Sequence, residues 1–197
     1  MKKQTLIITA FTAIVGVAMY ACNAKAGKKE NEEKKEISQA ELVERGNYLV
    51  TIAGCDDCHT PKKMGPMGPE LDMERRLSGY RQEVPFSKVD TNLVKQGWTL
   101  VNPELTGWAG MWGASFTANI TSDETGIGAW SYDQFKKALT EGKWKGMDNS
   151  RPLMPPMPWQ NYKNMKEDDV KAIFAFLKST KPIKNVEPAI KPFSALQ

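Results

Sequence analysis

Histidine is almost missing from this chain of 197 residues: there is one, His59, and cysteine occurs only at Cys22, Cys55 and Cys58. A closed structural zinc site takes four ligands, so one here would have to recruit a remote carboxylate or Cys22. No internal repeat is visible. No apolar run is long enough to span a bilayer comfortably, the longest being the stretch from Leu6 to Tyr20. Charge of one sign is lacking too. The formal net charge of +4 falls by two, to +2, once Lys2 and Lys3 are removed, which gives no support to a nucleic-acid footprint.

The order charged, apolar, small at the N-terminus (Met1-Lys2-Lys3, then Leu6 to Tyr20, then Ala21 onward) is that of a secretory signal peptide. A buried helix is the competing reading, but it would need something to pack against, and charged chain follows at once. Cleavage before Cys22 would leave a lipid-bearing N-terminus and a leader of residues 1–21. Cleavage after Ala24-Lys25-Ala26 would give a leader of residues 1–26. An otherwise orphan Cys22 ahead of a charged spacer favours the first. Lys28 to Glu36 holds four Lys and four Glu with no apolar residue, so residues 22–37 read as a solvated tether. The folded domain is expected over 38–182.

Three segments carry helical periodicity. Ser38 to about Ala53 opens with an S-x-x-E capping box at Ser38 and Glu41 and continues with Leu42, Leu49 and Val50, interrupted by Gly46. Ser131 to Glu141 repeats the device with Gln134, buries Phe135, Ala138 and Leu139, and stops at Gly142. Glu167 to Ser179 starts with three acidic residues, which suit a helix N-terminus, and presents Val170, Ile173, Phe174, Phe176 and Leu177. Thr60 to Trp130 is rich in Gly and Pro and bears Trp98, Trp108, Trp112 and Trp130; it predicts ordered irregular structure, with short hairpin pieces between Val84 and Val101. Residues 183–197 read as an extended tail. The fold class is therefore mainly α.

The chemistry is concentrated at Cys55-Asp56-Asp57-Cys58-His59, a C-x-x-C-H sequence. Two thiols three positions apart can reach the two vinyl groups of one porphyrin, and the adjacent imidazole then projects at the iron. Cys55 and Cys58 are thus expected to form thioethers to one covalently bound haem c, with His59 as iron ligand. A disulfide or thiol-exchange pair would not require the His, and no βαβ pattern surrounds the motif. Since His59 is spent, a six-coordinate iron would draw its other ligand from methionine, the usual choice in electron-transfer cytochromes. The proline-stiffened loop Pro152-Leu153-Met154-Pro155-Pro156-Met157-Pro158 offers Met157 first, with Met165 and Met154 as alternatives. Arg151, Trp159 and Tyr162 are candidate partners for haem propionates or ordinary loop packing.

The chain resembles the class I cytochrome c family, and more closely a bacterial branch related to the cytochrome c subunits of membrane alcohol and aldehyde dehydrogenases. The likeness rests on Arg45-Gly46-x-Tyr48-Leu49 leading into the C-x-x-C-H and Thr60-Pro61, on Ala118-Asn119-Ile120-Thr121 with Thr125-Gly126-Ile127-Gly128, and on Pro155-Pro156-Met157-Pro158-Trp159 before Asp168-Asp169. It implies a cytochrome c fold whose first and last helices cross at Gly46, facing Ile173 and Phe176. The stretch from His59 to Met157 is longer than in small members and reads as an insertion. The implied function is single-electron transfer by an exported protein on the periplasmic side of a bacterial membrane. Its expected partners are a dehydrogenase, a quinol-oxidising complex, an oxidase or another cytochrome. The competing functions are a haem enzyme or small-ligand sensor with an open sixth position, and a structural lipoprotein without haem.

Overall fold

The computed structural model describes residues 37–196. The expected leader, Cys22 and the charged tether up to Glu36 lie outside the described residues. Among the described residues, no helix is long and apolar enough to cross a membrane.

All three expected helices form. Helix α1 spans Gln39–Ile52, and at its start the Ser38 hydroxyl accepts from the Glu41 amide while the Glu41 carboxylate reaches back to the Ser38 amide. The short helix α2 spans Cys55–His59 and α3 spans Thr91–Lys95. Helix α4, Tyr132–Glu141, has the second capping box at Ser131 and ends at Gly142 with φ 68°; helix α5 covers Glu167–Ser179. Each box satisfies two amides that would otherwise lack partners at a helix start, worth about 1 kcal/mol for the hydroxyl.

Helices α1 and α5 form the centre of the fold. Val50, Leu77, Ile127, Phe135, Val170, Ile173, Phe176 and Leu177 make one buried cluster, so α4 and the loop residues Leu77 and Ile127 close over the α1–α5 pair. Gly46 lies at the crossing. A Cβ there would sit 2.0 Å from the Ala172 carbonyl oxygen and 2.6 Å from the Phe176 Cβ. The obstruction on one side is helix backbone, which cannot rotate away. Gly46→Ala should therefore destabilise by about 1–3 kcal/mol or more, the range for overpacking, read as a lower urea midpoint at unchanged slope. A midpoint equal to wild type would mean that the two helices separate without cost.

The chain between Thr60 and Trp130 departs from the expectation. Strands β1 (Lys62–Gly65) and β2 (Gly68–Leu71) form an antiparallel hairpin, and β3 (Leu100–Val101), β4 (Gly107–Gly110) and β5 (Gly113–Phe116) a second antiparallel sheet in the order β3-β4-β5. The expected hairpin interval, Val84 to Val101, instead contains α3, whose first turn is capped by the Asp90 carboxylate, and contributes only the two residues of β3. The fold is thus helical at its centre, with some strands added between α2 and α4. The tail departs from the expectation at its end, where Phe193–Leu196 form a 3-10 helix; before that it packs, with Lys191 paired to Ala114 of β5 and the buried Asn185 side-chain amide donating to the carbonyls of Ser78 and Tyr80 at 2.7 and 2.8 Å.

Candidate functional site

The C-x-x-C-H is placed by a change of chain direction. Helix α1 ends at Ile52, Ala53 caps it, and Gly54 takes φ 72°, the left-handed conformation that glycine adopts at little cost. Helix α2 then makes one turn, which puts Cys55 and Cys58 on one face and His59 at its end. Cys55 packs against the core cluster and Cys58 is half-buried. Burial pushes the Cys55 thiol up to about 12, with the Asp56 carboxylate adding to it. Burial also raises Cys58, against the pull of Lys62. Thiol-exchange pairs require the opposite, a lowered pKa, and Cys55 and Cys58 are not joined to each other.

His59 is held from two sides. Its Nδ1 lies 2.8 Å from the Ala118 carbonyl oxygen, and its own carbonyl accepts from the Gly79 amide at 2.8 Å. A carbonyl can only accept, so Nδ1 carries the hydrogen and Nε2 keeps its lone pair. Burial lowers the imidazole pKa, opposed by the Ala118 hydrogen bond and the Asp56 charge. The ring is therefore neutral, with one directed donor nitrogen. Among the described residues, no three His, Cys, Asp or Glu side chains converge on a common ion position.

Asp56, between the two cysteines, is buried and paired. Arg76 donates to both its oxygens at 2.9 and 2.7 Å, and the Thr60 hydroxyl donates to it at 2.8 Å while accepting from the Leu77 amide at 3.0 Å. The Arg76 guanidinium lies 5.1 Å from the centre of the Phe176 ring, joining α2 to α5. Sequence reading assigns no role to Asp56, Thr60 or Arg76. An acid between the two haem-motif cysteines is the available signal, since a charge taken out of water requires a partner.

The remaining candidates fall into two groups. Tyr162 donates its hydroxyl to the Ala53 carbonyl at 2.9 Å, tying the chain after the proline loop to the turn before Cys55. Met165 and Cys55 both pack against the core cluster. In the loop, Met154 and Met157 are half-buried and close a turn, the Met157 amide donating to the Met154 carbonyl at 3.2 Å. The loop is anchored on one arm by the Leu153 amide on the Gly142 carbonyl at 2.7 Å and at its tip by the Ser115 hydroxyl on the Pro155 carbonyl. Arg151 stacks 4.9 Å from the centre of the Trp144 ring, and the Trp159 ring fills the space beside Gly142. The four tryptophans of the 60–130 segment have separate surroundings: Trp98 is 62% exposed, Trp108 donates to the Leu105 carbonyl, Trp112 to Ser115, and Trp130 packs on the helical core.

A sequence model of the cytochrome c family matches residues 43–181. The chain is 26% identical over 196 residues to the fructose dehydrogenase cytochrome subunit of Gluconobacter japonicus, which covers 97% of this chain and 32% of that protein. It is 29% identical over 136 residues to the gluconate 2-dehydrogenase cytochrome c subunit of Pantoea cypripedii, covering 68% and 22%. It is 33% identical over 144 residues to the alcohol dehydrogenase (quinone) cytochrome c subunit of Gluconacetobacter polyoxogenes, covering 72% and 23%. The chain thus spans between about a fifth and a third of the length of these three relatives. With the family match extending from within α1 to just past α5 and enclosing the C-x-x-C-H, the chain belongs to the cytochrome c family.

Proposed function

We propose that the chain binds one haem: Cys55 and Cys58 would hold it through thioethers, and His59 and Met157 would hold its iron. In this reading it passes single electrons between a membrane-associated dehydrogenase or respiratory complex and a downstream acceptor. The observation that carries the reading is the contact between His59 Nδ1 and the Ala118 carbonyl, which leaves Nε2 free as a ligand beside two protonated thiols. A ligating histidine ordinarily has its second nitrogen tied back in this way. Ser78 adds a second point of fit: it is buried, its hydroxyl has no protein partner, and it adjoins Gly79, which binds the His59 carbonyl. A polar substituent of the haem would give that hydroxyl a use.

When bound, the haem supplies a ferrous–ferric couple whose potential depends on its ligands and surroundings. The chain does the rest. Its two thiols fix the group covalently, the Ala118 carbonyl sets the imidazole tautomer, and the α1–α5 core keeps water from one side. A dehydrogenase as electron donor is suggested by the names of the relatives; a quinol-oxidising complex, an oxidase or another cytochrome would fit the same role. Export to the periplasmic side and lipidation at Cys22 complete the proposal, since a charged tether would hold the domain near a membrane partner at raised effective concentration.

Intact-mass measurement of the mature protein tests both parts. One haem adduct should survive acid–acetone extraction, and Cys58→Ala should retain at most one thioether. Haem extracted from the wild type would overturn the attachment. The same spectrum should place a diacylglycerol on Cys22, whereas a mature chain starting at Gly27 would overturn the anchor.

A further inference from the structure

The single turn of α2 is closed at its C-terminal end by a side chain from the hairpin that follows it. A helix leaves its last carbonyls without amide partners, and its aligned peptides make that end negative. The His59 carbonyl is taken by the Gly79 amide, and three neighbouring carbonyls share one ammonium. Lys62 Nζ donates to Thr60 at 2.8 Å, to Asp56 at 3.3 Å, and to Asp57. An ammonium has three hydrogens and no lone pair, so its donors are all used and the three bonds require the charged form. Strand β1 delivers it. Lys62 pairs with Leu71 of β2, and the Asp72 amide closes the base of the hairpin on the Pro61 carbonyl at 2.8 Å. Lys62 is half-buried and its printed partners are all main-chain carbonyls, whereas the adjacent Lys63 is exposed and lies 4.0 Å from Glu70.

We propose that Lys62 is a positioning residue for the C-x-x-C-H turn, and that its fixed positive charge raises the reduction potential of the iron. The inference rests on the reading of Cys55, Cys58 and His59 as the haem attachment. The ammonium bonds carbonyls of the same turn that carries both cysteines and the histidine, so its charge is tied to that turn. Ferric iron bears one more positive charge than ferrous iron, and a nearby cation therefore favours the ferrous state. At the effective dielectric of about 20 usual near a protein surface, a unit charge changes such an equilibrium severalfold even from about 15 Å. The two acids of the motif oppose it weakly. Asp56 is paired with Arg76 at 2.7 Å, and Asp57 is exposed, where water and salt screen it. The β1–β2 hairpin thereby has a use: it carries a cation to the open end of the haem-binding turn.

Spectroelectrochemical titration of the holoprotein at neutral pH is the test. Lys62→Met removes the charge and the donors but keeps an unbranched side chain. It should lower the equilibrium constant for reduction about threefold or more, which converts to about 30 mV at about 59 mV per tenfold for one electron. Lys62→Arg keeps the charge and should recover at least half of that loss. Lys63→Met removes the same formal charge from the next, exposed position and should shift the potential by less than Lys62→Met does. A Lys62→Met potential equal to wild type, or equal shifts in Lys62→Met and Lys63→Met, would overturn the proposal. So would a Lys62→Arg potential as low as that of Lys62→Met, because the loss would then follow geometry and not charge. Should Lys62→Met fold poorly, nitrogen NMR of the wild-type ammonium groups decides: Lys62 should be protected from solvent exchange, and exchange as fast as that of Lys63 would refute the clamp. A pyridine haemochrome spectrum separates the two readings. Its absence sinks the haem assignment, while haem with a potential indifferent to Lys62 sinks only the role of this residue.

Discussion

Replacing Asp56 by Ala should destabilise the protein by about 3–5 kcal/mol, the usual cost of removing one partner from a buried ion pair. The Asp56 side chain is 9% exposed and that of Arg76 22%, so the guanidinium left behind would be poorly hydrated. It would retain only Asn47 and Thr51 as acceptors, at 2.9 and 3.4 Å, and Thr60 would lose the acceptor that orients it toward the Leu77 amide. Leu77 is wholly buried with φ 64°, an unfavourable conformation for its side chain, and depends on such bonds. Chemical denaturation of the holoprotein measures the loss. Arg76→Ala should cost a similar amount, and the double variant should cost less than the two losses added together. Fully additive losses would show that the pair is not coupled.

The same pair sets a pH dependence. Burial alone would raise the Asp56 carboxyl, but hydrogen bonds from Arg76 and Thr60, the Arg76 charge and His59 carry it below its ordinary value of 3.8. A carboxyl whose folded pKa is depressed stabilises the protein above its unfolded pKa, and that contribution is lost as pH falls through the folded value. Wild type should therefore lose stability on acidification below about pH 4, the unfolded aspartate value, by more than Asp56→Ala does.

What was legible in the sequence was local. The capping boxes at Ser38 and Ser131 and the acidic first turn of α5 are satisfied within a few residues, so their signals lie side by side in the chain. The spacing of Cys55, Cys58 and His59 is local in the same sense. The hairpins were not legible because strands such as Gly107-Trp108-Ala109-Gly110 are buried on both faces and show no alternation; main-chain pairing with β3 and β5 sets their register. The β-branched residues before Val101 favour a strand, a preference that Asp90 overrides by capping α3. Ala118 could not be found by side-chain chemistry at all. It acts through a backbone carbonyl, 59 residues from the histidine it holds. The tail reads as extended from its prolines, yet its two buried polar clamps, Asn119 and Asn185, meet only in the folded state.

Met157→Ala should abolish the near-infrared sulfur-to-iron charge-transfer band of the ferric protein and lower the reduction potential, because a methionine axial ligand is what raises it. His59 is the single histidine of the chain, so a sixth ligand to the iron would have to come from another residue type. The loop bearing Met157 is restrained at three points, by Gly142 through Leu153, by Ser115 through Pro155, and by its own turn from Met154 to Met157. Restraint of this kind lowers the entropy lost when a thioether is fixed on a metal. Met154 shares the loop but sits at the other end of that turn, so Met154→Ala should leave band and potential near wild type. Met165 differs in kind. It packs against the helical core, and its amide donates to the Tyr162 carbonyl at 2.9 Å, so Met165→Ala should lower stability and keep the band. The three variants separate ligation from packing when the band, the potential and the urea midpoint are read together. Loss of the band in Met165→Ala with its retention in Met157→Ala would move the ligand to the start of α5 and leave the proline loop as a cover.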